Sequence, residues 1–270
     1  MRIMATLMLM TLLMTAPLKA VAEAVRTDYL QSRLVSQHSS VTPGGVLMLG
    51  LLLEHDQGWH TYWQNPGDSG LETQMTVKVA GEDHQVQFLW PLPQRVPLDA
   101  QLVNFGYKDR VLLPALLPLP PDLPPGPLQI EASASWLVCE EACIPGAADY
   151  ALTVTLAAAV QADSRWQADF DRSARRQPRE AAAGSHFTVS GNQVRLRMPR
   201  ALFPGNPSQW VFFPETAEIV RNSGEPAWRR QGQDWVAVLD RNEFFTRVPA
   251  QFDWLLVRGD DGIRVSAIPE

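Results

Sequence analysis

Apolar and polar residues alternate with a period of two along much of the chain. Met75-Thr76-Val77-Lys78-Val79, Val86-Gln87-Phe88-Leu89-Trp90 and Tyr150-Ala151-Leu152-Thr153-Val154-Thr155-Leu156 show it, and Leu128-Gln129-Ile130-Glu131-Ala132 carries it towards Trp136. Such runs predict strands with one buried face. Val46-Leu47-Met48-Leu49-Gly50-Leu51-Leu52-Leu53 is apolar throughout and is bounded by Pro43-Gly44-Gly45. Short strands between Gly, Pro and Asp clusters, with no long helix between them, predict an all-β antiparallel sandwich over residues 25–156.

The pattern changes near residue 157. Asp163 is a candidate N-cap, and Trp166 and Phe170 fall four apart, which predicts a short amphipathic helix. Charged residues and then Ala181-Ala182-Ala183-Gly184 complete a connector over residues 157–184. Strand signals resume at Phe187-Thr188-Val189, turn at Ser190-Gly191-Asn192, and continue through Val194–Met198, Trp210–Phe213, Trp235–Leu239 and Trp254–Val257. Gly259-Asp260-Asp261-Gly262 reads as a hairpin turn. Residues 185–270 are therefore expected to form a second, smaller β-rich domain.

The N-terminus adds a location. Arg2, an apolar run over residues 3–16, and the small-residue patterns Ala20-Val21-Ala22 and Ala22-Glu23-Ala24 form a secretory signal peptide pattern over residues 1–24. Cleavage is expected near Ala22 or Ala24. The run is shorter than the roughly 20 residues a spanning helix needs. Residues 111–128 are also apolar, but Pro114, Pro118, Pro120, Pro121, Pro124, Pro125 and Pro127 break them. The expectation is an exported, soluble protein of the periplasm. Losing residues 1–24 leaves 21 basic against 28 acidic residues, moving the formal charge from -6 to -7. A mildly acidic chain without a basic run offers nothing to nucleic acid.

Cys139 and Cys143 are the only cysteines, and an exported protein meets an oxidising compartment. A structural bridge over so short a loop would contribute only roughly 2 kcal/mol. In a regular helix, residues four apart hold their Cβ atoms roughly 6 Å apart, while a disulfide needs about 3.8 Å. A bond on a helical turn would therefore be distorted and reducible. Such a turn would give Cys139 free backbone donors and make it the more reactive thiol. Two thiolates also suit Cu(I). However, His38, His55, His60, His84 and His186 show no paired ligand spacing, and only Met48, Met75 and Met198 lie beyond the signal segment. No metal site and no cofactor is expected. A redox pair, a fixed bridge in an exported binding or adaptor protein, and a copper-handling pair all remain open on these residues.

Gly58-Trp59-His60-Thr61-Tyr62-Trp63-Gln64-Asn65-Pro66-Gly67-Asp68-Ser69-Gly70 combines large aromatics with turn chemistry. Its aromatics suit core anchors at a strand end, or a loop that frames the cysteines. Phe105, in Asn104-Phe105-Gly106-Tyr107, is a further framing candidate beside Trp59, Tyr62 and Trp136, and His60 is a candidate proton donor to a leaving thiolate.

That segment, followed by Trp136-Leu137-Val138-Cys139-Glu140-Glu141-Ala142-Cys143-Ile144-Pro145, resembles the N-terminal periplasmic region of DsbD-like thiol:disulfide interchange proteins. The likeness is to the ScsB branch, linked to suppression of copper sensitivity. The resemblance implies an immunoglobulin-like sandwich whose cysteine pair reduces periplasmic substrate proteins, with Cys143 as the attacking thiol. It also implies electrons from a membrane-embedded partner. The sequence shows no second cysteine pair, no dinucleotide loop and no membrane-embedded domain, so a separate membrane thiol reductase is the expected donor.

Overall fold

A computed structural model describes residues 23–99, 101–203 and 205–270, so the expected signal segment lies outside the described residues up to Ala22. The architecture is all-β and immunoglobulin-like. Two sheets form the N-terminal sandwich. One runs Val25–Thr27, Leu30–Ser36, Val46–His55, Arg110–Pro118. The other runs Gln161–Ala162, His38–Val41, Cys143–Leu156, Gly126–Cys139, His60–Gly67, Val103–Lys108, Gln94–Pro97, with Gln74–Val79 also pairing Gly126–Cys139.

The alternation has its predicted cause. Leu128, Ile130, Ala132, Ala134, Trp136 and Val138 enter the core from one strand, between exposed Gln129, Glu131, Ser133 and Ser135. Val46–His55 does not alternate because both of its faces are covered. Leu47, Leu49, Leu51 and Leu53 face the sandwich core, while Leu52 joins Val35, Leu112 and Phe170 beneath a helix. Arg110–Pro118 ends its sheet beside Val46–His55, and the Pro114 carbonyl faces outward to accept from the Leu89 N–H at 2.7 Å, next to an isolated bridge between Phe88 and Ala115, so the missing Pro114 N–H breaks no ladder with Val46–His55.

That helix is Gln167–Arg175, shifted from the expected start. Asp163 does not cap it, because its carboxylate binds Arg165, at 2.5 Å to the guanidinium and 3.1 Å to the main-chain N–H. Trp166 takes the cap position without a side-chain bond. Asp169 anchors the helix to the sandwich by a 2.8 Å ion pair with Arg110.

Beyond the helix lies an eight-stranded sheet: Val211–Pro214, Phe252–Arg258, Asp261–Pro269, Ser185–Ser190, Gln193–Pro199, Asp234–Asp240, Arg229–Gln231, with Arg179–Glu180 beside Asp261–Pro269. Both expected turns are hairpins here, with Ser190 opposite Gln193 and Arg258 opposite Asp261. Most of its buried side chains form their own core around Phe187, Trp254 and Val265. Phe213, Leu255 and Val257 instead join the core of the N-terminal sandwich. Phe213 lies 5.3 Å from Phe105 and 6.4 Å from Trp63, ring centre to ring centre.

Candidate functional site

Cys139 ends the strand Gly126–Cys139 and Cys143 begins Cys143–Leu156. The two are direct partners in the antiparallel ladder, 4.2 Å apart at Cα, and are joined by a disulfide. Closely opposed residues in such a pair lie about 4.5 Å apart, so a hairpin end brings the sulfurs together without any helix. This overturns the expected helical turn, and with it the helix-terminus argument for Cys139. Glu140, Glu141 and Ala142 form the tip, with the Glu140 N–H donating to the Ala142 carbonyl at 3.4 Å. The Glu140 carboxylate folds back over Gly58, whose φ is +93° and where an added Cβ would stand 2.1 Å from Oε1.

The two sulfurs are not equivalent. Cys139 is buried, 2% exposed, while Cys143 is exposed. Cys139 also pairs in the ladder with His60, which starts the strand His60–Gly67. Alternation along that strand turns Trp63 into the sandwich core and Tyr62 to the other side. There the Tyr62 hydroxyl lies 3.3 Å from Cys143 Sγ.

The direction of that contact follows from its neighbours. Asn104 Oδ1 accepts from the Ser69 main-chain N–H at 3.1 Å and from the Ser69 hydroxyl at 3.1 Å. A main-chain N–H can only donate, so the amide orientation is fixed. Asn104 Nδ2 then donates to the Tyr62 oxygen at 3.4 Å, and since the disulfide-bonded Cys143 has no S–H, the phenol is the donor in its contact with Cys143, with the Ser69 oxygen as a second acceptor beside it. Gly70 lies against the Tyr62 ring; its φ is +94°, and a Cβ there would stand 2.2 Å from two ring carbons. Burial raises the Tyr62 pKa, partly offset by the Ser69 hydroxyl, so the phenol keeps its proton near neutral pH.

His60 lies 5.2 Å from Tyr62 in an edge-on contact. Its pKa is lowered to about 4, chiefly by burial and then by Lys108 and His55, while a hydrogen bond to the Cys139 main chain works the other way. It is a neutral imidazole near pH 7, not a charged proton donor. His55, also lowered to about 4 by burial, braces the same strand through Thr61 Oγ1 at 3.0 Å and the Asp109 carbonyl at 3.0 Å.

The other framing candidates take different places. Trp59 stacks on Tyr29 at 3.7 Å with near-parallel rings. Phe105 is fully buried in the sandwich core against Trp63 and Phe213; its neighbour Asn104 is the residue that reaches Tyr62. Trp136 is buried over its ladder partner Gly146, where a Cβ would stand 2.4 Å from Nε1. It also lines an open groove of ≈ 730 Å³ with Pro66, Leu71, Glu72, Leu137 and Pro145. Asn104 and Ser69 lie in the two segments the sequence singles out, yet neither is picked as a site residue, because a lone Asn or Ser has no periodic or spacing signature. Among the described residues, no group of three or more His, Cys, Asp and Glu is gathered to hold a metal ion.

The site is thus a disulfide with one exposed sulfur at the end of an immunoglobulin-like sandwich. Residues 27–155 match the family described as thiol:disulfide interchange protein DsbD, N-terminal, so this stretch of the chain is a DsbD-N-like thiol–disulfide interchange domain. The likeness in fold extends further. The crystal structure of the N-terminal periplasmic domain of ScsB from Proteus mirabilis superposes with a TM-score of 0.65 at 15% identity, covering 91% of this chain and 96% of that one. The Plasmodium falciparum protein Pf12p aligns over 86% of this chain and 90% of its own at 7% identity, with a TM-score of 0.17 that carries no weight. No curated protein sequence matches the chain. No helix among the described residues is long and apolar enough to cross a membrane.

Proposed function

We propose that this protein is a periplasmic protein-disulfide reductase that relays electrons from a separate membrane thiol reductase to disulfides of periplasmic proteins. The observation that carries the reading is the asymmetry of the pair: an exposed Cys143 with a hydroxyl donor on its sulfur, bonded to a buried Cys139. The structural-bridge alternative has less support. A bond between two residues that already face each other across a hairpin closes a three-residue loop and constrains the unfolded chain little.

In the relay, a thiolate of the donor attacks Cys143 Sγ. The bond to Cys139 breaks, and Cys139 leaves as a thiolate that takes a proton. The donor's second thiolate then attacks its own sulfur in the mixed disulfide and releases Cys143. The donor is oxidised to a disulfide and the pair is reduced by two electrons. The reduced Cys143 thiolate next attacks one sulfur of a substrate disulfide, and the first substrate thiol leaves. Cys139 attacks Cys143 Sγ, re-forming the disulfide and releasing the second. The Tyr62 hydroxyl stabilises the Cys143 thiolate, and a hydrogen bond to a charged sulfur is worth more than one to a neutral sulfur. The groove beside Trp136, Leu71 and Pro145 suits an extended, cysteine-bearing segment of the substrate.

The test is trapping in cells. Removing the resolving cysteine halts exchange at the mixed disulfide, so Cys139→Ser accumulates disulfide-linked adducts and Cys143→Ser does not. Reversed trapping would assign the attack to Cys139. Failure of both variants to capture a partner, with the wild-type pair oxidised in every strain background, would return the disulfide to a structural role.

A further inference from the structure

The strand His60–Gly67 departs from its neighbour just after Tyr62. Tyr62 pairs with Gly106 and Gly67 with Asn104, so residues 63–66 bulge opposite Phe105 alone. The bulge carries two side chains to the C-terminal half. Asn65, 2% exposed, donates to the Pro214 carbonyl at 2.7 Å and accepts from the Gly67 N–H at 3.1 Å. Gln64 donates to Glu215 at 2.5 Å.

A second anchor follows at once. Asn222, also of the C-terminal half and 5% exposed, donates from Nδ2 to Asp68 Oδ1 at 2.9 Å. The other Asp68 oxygen accepts from the Val103 N–H at 2.7 Å, and the Asp68 N–H returns to the Val103 carbonyl at 3.0 Å. Asn222 is itself held, since Arg95 donates to its carbonyl at 3.1 Å and to the Phe212 carbonyl at 3.4 Å.

The residues after Asp68 are those that aim the phenol. Ser69 fixes the Asn104 amide, Asn104 binds the Tyr62 oxygen, and Gly70 backs the Tyr62 ring. One hydrogen-bonded path therefore runs from Asn222 through Asp68 and its neighbour Ser69 to Asn104, Tyr62 and Cys143.

We propose that Asn222 is a positioning residue for the cysteine pair: by clamping Asp68 it holds the 68–70 loop so that Tyr62 donates to Cys143. This gives the C-terminal half a part in the redox chemistry, and it rests on the thiol–disulfide exchange proposed above. Only the thiolate is a strong acceptor for the phenol, so the clamp favours the reduced pair. Loosening it disfavours the thiolate and makes the pair harder to reduce.

Two measurements on the full-length mature protein test this: the pH profile of iodoacetamide alkylation of the reduced pair, and the equilibrium with a dithiothreitol redox buffer. Tyr62→Phe, which keeps the ring but removes the donor, sets the scale. Asn222→Ala is expected to move the alkylation profile to higher pH by about one unit and, at a pH above both the original and the shifted thiol pKa, to lower the equilibrium constant for reduction about tenfold, a potential about 30 mV more negative. Asn222→Ala added to Tyr62→Phe is expected to change little more, since both act through one contact. Asn222→Gln, which keeps the amide donor, is expected to recover part of the shift.

Wild-type values within twofold for Asn222→Ala, whatever its melting temperature, would overturn the proposal. So would full additivity with Tyr62→Phe, or a Tyr62→Phe variant that shifts nothing. Should Asn222→Ala fail to fold, Asn65→Ala loosens the same loop at its other anchor and is held to the same criteria. A wild-type pair that no dithiol reduces would instead refute the exchange reading itself, and this proposal with it.

Discussion

His60 and Tyr62 stand on one side of the same strand, and burial keeps both uncharged, lowering the His60 pKa to about 4 and raising that of Tyr62. His55 is lowered to about 4 by burial as well. An unfolded histidine titrates near pH 6.5, so below that pH the unfolded chain binds protons that the folded chain excludes. The stability these two residues contribute is present in full above about pH 6.5 and is lost as pH falls towards 4. Urea unfolding measured from pH 7.5 to 4.5 should show stability falling with a slope of up to two protons, reduced to about one in His60→Gln. A wild-type slope of zero would mean that the rings are already solvated or paired with acids. At this scale the sequence is legible where a residue type is rare. Two cysteines alone draw attention to themselves, and His60 and Tyr62 stand in a dense aromatic segment. Asn104 is invisible beside Phe105, because its importance lies in which amide end meets Ser69, a fact of three-dimensional placement.

Antiparallel pairing explains why the cysteine pair was legible in the sequence while the backbone geometry around it was not. A spacing of four fits a helical turn and a three-residue hairpin tip equally well, and only the long ladder from Gly126–Cys139 to Cys143–Leu156 decides between them. The strands themselves were legible from their alternation, and Val46–His55 was legible as a strand from its flanking turn signals, although only the helix over Leu52 explains its unbroken apolar run. Close approach of backbones is the feature that composition hides. At Gly106 an added Cβ would stand 2.0 Å from the Thr61 carbonyl oxygen, a backbone atom that cannot swing aside. Gly106→Ala must therefore push the strand Val103–Lys108 off His60–Gly67, next to the register position of Tyr62. Chemical denaturation should show a loss of about 1–3 kcal/mol. Cys143 alkylation in the reduced protein should change with it. An alanine variant as stable as the parent would mean that the two strands lie further apart than they do here.

At the scale of the whole molecule, the expected division into two domains meets a core that both halves share. Phe213, Leu255 and Val257 leave the C-terminal sheet's own cluster and pack with Trp63 and Phe105 of the sandwich. Polar contacts cross the same junction, with Gln64 reaching Glu215 at 2.5 Å and Arg95 reaching the Phe212 carbonyl at 3.4 Å. Gly262 permits Leu92 to close in, since a Cβ there would stand 2.3 Å from Leu92 Cδ2. Removing a ring from such a junction leaves a cavity walled by both halves, so Phe213→Ala should cost roughly 3–5 kcal/mol. The cost should fall on the chain as a unit. Calorimetry of the wild type should show one transition whose calorimetric and van't Hoff enthalpies agree, and Phe213→Ala should move that single transition down. Trp63 is also one residue from Tyr62, so a packing loss on the core side of that strand should be felt at the cysteine side, as faster reduction or alkylation at temperatures well below unfolding. If instead two transitions separate, and Phe213→Ala moves only the one belonging to residues 185–270, the halves fold independently. The junction would then be a docked interface with no bearing on the stability of the redox half.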